Sequence, residues 1–60
     1  MKTLPYDKEQ QIRCARHELR VSTTKKAFYA ARERLERAKD GVMVYVITVD
    51  DNDKMTYKIY

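Results

Sequence analysis

The chain has 60 residues, 43% of them hydrophobic and 37% charged, with 13 Lys and Arg against 9 Asp and Glu for a net charge of +4. That length allows one small domain, 1–60, burying only about 60% of the surface its unfolded chain exposes. The lone Cys14 excludes an internal disulfide, and a single glycine excludes a glycine-rich phosphate loop.

No apolar run is long enough to cross a bilayer, and the opening MKTLPYDKEQ lacks the apolar core of a secretory signal. The expectation is a complete, soluble, cytoplasmic chain with no membrane contact. Charge is unevenly placed along it. Residues 1–40 carry 11 basic and 6 acidic side chains, whereas residues 41–60 carry 2 and 3. A polyanion is drawn first to the basic part. Helices rich in Lys, Arg and Glu also arise simply to stay solvated, and that reading stands beside the functional one.

Met1–Tyr6 reads as a short lead-in, with Leu4 pushed toward an extended conformation by Pro5. Asp7 is a candidate N-cap for a first helix running to Arg20. Its apolar residues Ile12, Ala15 and Leu19 form one thin stripe, which Leu4 and Tyr6 are expected to widen by folding back. Val21, Ser22 and Thr23 interrupt the pattern. A second helix is placed from about Thr24 to Lys39, with Phe28, Ala31, Leu35 and Ala38 as its core stripe. Gly41 follows as a left-handed stop.

Val42–Val49 (VMVYVITV) is too β-branched and too short for a good helix and reads as a strand. Asp50–Asp51–Asn52–Asp53 has turn chemistry, and Met55–Tyr60 alternates as a half-exposed strand does. The predicted order is helix, helix, strand, strand (α-α-β-β), an α+β fold of two helices followed by a β-hairpin. The first strand is apolar on both faces, so a homodimer through the hairpin is expected, with Met43, Tyr45, Ile47 and Tyr60 as the dimer or partner interface.

Catalytic chemistry is missing from the pattern. His17 and Cys14 lie three apart on a helix, but two ligands do not close a zinc site. By helical phase Cys14 falls off the core stripe and is expected to be partly exposed. Asp50, Asp51 and Asp53 lack the glycine and terminal glutamate of a calcium loop. The reading is of no enzyme, no metal, no cofactor and no small-molecule substrate. Tyr45, Tyr57 and Tyr60 on a sheet suit core and edge positions better than base stacking.

The segment LRVSTTKKAFYAARERLE resembles the turn and recognition helix of winged helix-turn-helix proteins. Leu19, Val21 and Ser22 match the apolar–x–apolar–Ser turn, and the hairpin after Gly41 resembles a wing tipped by Asp50–Lys54. Arg20 stands where that family commonly has Gly, and the wing tip is acidic rather than basic. The resemblance implies a reduced winged-helix-like fold and binding to duplex DNA, with the second helix in the major groove. Lys25, Lys26 and Tyr29 would then lie near the positive end of that helix. Arg13, Arg16 and Arg20 recur at three and four on the first helix and form a second basic ridge, suited to phosphate contacts. The same arginines can instead cover the helix with their stems and pair with Glu9 or other acids nearby. A small DNA-binding accessory or regulatory protein, of the size common in phages and mobile elements, is therefore one reading. The other is a protein-interaction module, a small inhibitor or adaptor that docks through its hairpin.

Overall fold

The computed structural model describes residues 2–60. Met1, the start of the predicted lead-in, lies outside the described residues. The elements in chain order are β1 (Lys2–Thr3), α1 (Lys8–Val21), α2 (Lys25–Lys39), β2 (Tyr45–Val49) and β3 (Met55–Ile59). Two helices and an antiparallel hairpin form as expected, giving an α+β, reduced winged-helix-like domain. The sheet has one strand more than the sequence suggested, in the order β1-β2-β3.

Local chemistry fixes the helix ends. The Asp7 carboxylate accepts from the Glu9 N–H at 3.0 Å and starts α1. Thr24 Oγ1 accepts from the Ala27 N–H at 3.1 Å and starts α2. Between them Ser22 donates from its hydroxyl to the Leu19 carbonyl at 2.7 Å and closes the end of α1. The end of α2 uses Gly41 at φ 84°, whose N–H reaches the Ala38 carbonyl at 3.1 Å. A side chain is strained in that left-handed region, so the only glycine sits where it is needed.

In the hairpin turn, Asp50 Oδ1 accepts from the N–H groups of Asn52 and Lys54, each at 2.9 Å. Asp53 takes the left-handed conformation at φ 60°. Register then follows: Tyr45 opposes Ile59, Ile47 opposes Tyr57 and Val49 opposes Met55. These six side chains share the face turned to the helices. Val46, Thr48, Thr56 and Lys58 share the other face, where the two threonine hydroxyls lie 2.9 Å apart. The outer face is therefore largely polar rather than apolar.

The core gathers Cys14 and Ala15 from α1, Ala38 from α2, and Val44, Tyr45 and Ile47, with Leu4, Ile12, Leu35 and Tyr57 packed against it. Four expectations are corrected here. Cys14 is buried, at 5% exposure, because α1 meets both α2 and the sheet and so needs a wider apolar face than one stripe. Phe28 is 43% exposed, although it falls on the predicted stripe. Only Ala31, Leu35 and Ala38 of that stripe are covered, since Val21, Phe28 and Tyr29 at the turn between the helices all project into solvent. Of the lead-in, Leu4 folds onto the core while Tyr6 stays half in solvent.

The fourth correction concerns the start of the hairpin, and one side chain explains it. Antiparallel pairing sets Lys2 against Val49 and Thr3 against Thr48, and the Leu4 N–H donates to the Ile47 carbonyl at 2.8 Å. Pro5 then has no N–H to give and turns the chain away. The next partner for Tyr45 would be Tyr6, but the carboxamide of Gln11 takes that place. Its Nε2 donates to the Tyr45 carbonyl at 2.8 Å, and its Oε1 accepts from Tyr45 N–H at 2.8 Å and Val44 N–H at 2.9 Å. Gln11 is 2% exposed. Val42–Val44 thus leave the predicted strand, because the amides of Val44 and Tyr45 answer to a helix side chain instead of a neighbouring strand.

Candidate nucleic-acid interface

The turn Ser22–Thr24 and the capped start of α2 place the predicted basic residues. Arg13, Arg16 and Arg20 occur at three and four along α1, and all three are exposed. Lys25 and Lys26 open α2 and are exposed, and Tyr29 is exposed one turn further on. Arg20 lies in the last turn of α1 and Lys25 and Lys26 in the first turn of α2, so they flank the bend, with Arg16 and Arg13 further back along α1. Phe28 and Tyr29 stand beside the lysines with ring centroids 6.0 Å apart in an edge-to-face arrangement. The exposed end of the helical pair is both basic and aromatic, and sequence reading missed Phe28 because it assigned that ring to the core.

Among the described residues, none of these six side chains is held in an ion pair. The salt bridge found joins Lys39 to Glu36 at 3.8 Å, near the far end of α2. Arg13 and Arg16 do border a shallow groove with Glu9 and Ile12, but at no salt-bridge distance from Glu9. The first-turn amides of α2 add to the positive character of the bend, since only the Ala27 N–H is taken by the Thr24 cap and α2 has no acidic residue in its first turn.

The predicted partner interface divides. Tyr45 and Ile47 are core residues, at 0% and 5% exposure, because β2 is the middle strand and its inner face lies under the helices. Neither presents a side chain to a partner. Met43 is half-buried and Tyr60 is exposed.

His17 is exposed and meets the Tyr57 ring edge-on at 6.1 Å, and Tyr57 in turn meets Tyr45 at 5.3 Å. Burial raises the pKa of the Cys14 thiol above its ordinary value, and the neighbouring Glu18 raises it further. Such a thiol is a poor nucleophile at neutral pH. Burial also raises the Tyr45 and Tyr57 phenols, with Arg34 partly offsetting the effect at Tyr45 and Glu18 adding to it at Tyr57. The Tyr45 hydroxyl and Arg34 Nε are buried without hydrogen-bond partners. No group of three or more His, Cys, Asp or Glu among the described residues could hold a metal ion, and no helix is long and apolar enough to cross a membrane.

Comparison with known proteins adds one finding. The family model described as "Transcriptional regulator TrmB, EBD N-terminal subdomain" matches residues 3–60. No curated protein and no solved structure matches the chain.

Proposed function

The chain belongs to the family of the transcriptional regulator TrmB, EBD N-terminal subdomain, and from that premise we propose that it is a non-catalytic regulatory domain that binds duplex DNA through its helical layer. The observation that carries this reading is the set of six exposed side chains around the helix turn, Arg13, Arg16, Arg20, Lys25, Lys26 and Tyr29, free of acidic partners among the described residues. In this arrangement the α1 ridge contacts phosphates, and the first turn of α2 approaches base edges. Lys25 and Lys26 meet the backbone where helix amides and positive charge coincide. The Phe28–Tyr29 pair supplies apolar contact beside them. The acidic turn Asp50–Asp53 takes no part, since it would repel phosphate.

The test is binding of a fluorescent duplex of mixed genomic sequence, followed as salt is raised. Affinity should fall steeply with salt, because each neutralised phosphate releases counterions. Lys26→Glu should abolish binding and leave the circular dichroism spectrum unchanged. Binding indifferent to salt, or equal binding by Lys26→Glu, would refute the reading.

A further inference from the structure

We propose that a second copy of this chain pairs antiparallel along β3, with Tyr57 opposite Tyr57, to make one continuous sheet from the two three-stranded ones. The inference stands apart from DNA binding, because it uses a different surface.

The free edge of β3 carries it first. Tyr60 N–H donates to the Val44 carbonyl at 2.9 Å, and Asp50 N–H donates to the Lys54 carbonyl at 3.1 Å. Hydrogen-bonded and non-bonded pairs alternate in an antiparallel ladder. The β3 residues opposite Tyr45, Ile47 and Val49 therefore point their backbone groups away from β2. Those residues are Ile59, Tyr57 and Met55, and β3 is the edge of the sheet. The same three residues turn their side chains to the helix side, yet Met55 is 50% and Ile59 60% exposed. Backbone and apolar side chains are thus unmet along one line, the condition under which strand edges associate.

The sequence of that edge is complementary to itself. With Tyr57 on the two-fold axis, Met55 opposes Ile59, Thr56 opposes Lys58 and Lys54 opposes Tyr60. Apolar meets apolar, and no like charges stand directly opposite. The Tyr57 pair falls in the hydrogen-bonded class, so both chains exchange the N–H and C=O groups that β2 leaves free.

Charge selects the antiparallel direction. The turn before β3 carries Asp50, Asp51 and Asp53. Past its other end, Ile59 and Tyr60 share a groove with Glu33, Arg34 and Arg37 of α2, two basic side chains against one acidic. Antiparallel pairing brings the acidic turn of each copy toward the arginines of the other, twice by symmetry. Parallel pairing would set acid against acid. The assignment also replaces the buried Tyr45 and Ile47 with residues that reach the surface.

Sedimentation equilibrium of the full chain over rising concentration tests this. The wild-type chain should approach twice its monomer mass. Ile59→Lys should weaken association at least about tenfold, by placing a charge in the new apolar face. Arg37→Glu and Asp51→Lys should each weaken it, and the two changes together should restore it. Both of those sites are exposed, so this pair reads the interface even if Ile59→Lys disturbs the fold. A wild-type chain that stays monomeric throughout would overturn the proposal, whether or not it captures a strand of some other protein. So would a dimer insensitive to Ile59→Lys, or charge reversals whose losses add instead of cancelling.

Discussion

The two edges of the hairpin are treated in opposite ways. On one side of β2, a two-residue strand, the Leu4 amide and the Gln11 carboxamide meet the backbone in succession. On the far side of β3 nothing among the described residues does so. At the Gln11 end the first edge is buried beneath α1, with Val44 and Tyr45 among the buried residues, and an unmet peptide group there would have no water to turn to. The second is open, and water can satisfy it. The contrast separates what this small domain requires to fold from what it leaves available to a partner.

Breaking the filled edge should have the largest effect. Gln11→Leu keeps the volume but strips three hydrogen bonds from the amides of Val44 and Tyr45 and the Tyr45 carbonyl. At about 1–3 kcal/mol for each buried group left unmet, the loss rivals the total of roughly 3–9 kcal/mol expected for a domain of this length. The variant should be mostly unfolded in urea titrations at 25 °C, and a midpoint close to wild type would show that the clamp is dispensable.

Raising the pH should loosen the same core from within. Cys14, Tyr45 and Tyr57 all have pKa values raised above their ordinary 9.0, 10.0 and 10.0 by burial. Such groups release protons first in the unfolded chain, so their contribution is complete at neutral pH and is lost as pH rises through these values. The urea midpoint should stay level near neutral pH and fall as pH rises through and beyond these ordinary values; a midpoint that rises would reverse the sign.

Smaller effects belong to the exposed side of the sheet. Thr56→Val removes the hydroxyl contact with Thr48 on the outer face and should lower stability by about 0.5 kcal/mol. Ile59→Thr at the open edge should change the fold's own stability by less than about 0.5 kcal/mol in dilute solution. If Ile59→Thr proved as damaging as Gln11→Leu under those conditions, the two edges would not differ as described.

The parts legible in the sequence were those set by neighbours along the chain. Asp7, Thr24 and Gly41 act as caps and stop, and Asp50 organises the turn, each through partners within a few residues. The exposed basic set was legible too, because helical phase alone turns Arg13, Arg16 and Arg20 outward. What escaped was set by distant contacts. Gln11 reaches backbone 33 and 34 residues away, and a glutamine beside Ile12 gives no local sign of that. The same bonds ended the strand early and hid Tyr45. Phe28 was misplaced for a complementary reason: periodicity tells which face a residue shares, but not whether the covering layer extends that far.

The central claim is that the helix turn with its basic ridge, and not the sheet, meets DNA. Amide chemical shifts of the isotope-labelled chain, recorded while a short duplex is added at low salt, test it residue by residue. The account expects movement at Arg13, Arg16, Arg20, Lys25, Lys26 and Tyr29, with β2 and β3 still. Shifts confined to the hairpin, or none at saturating duplex, would contradict it.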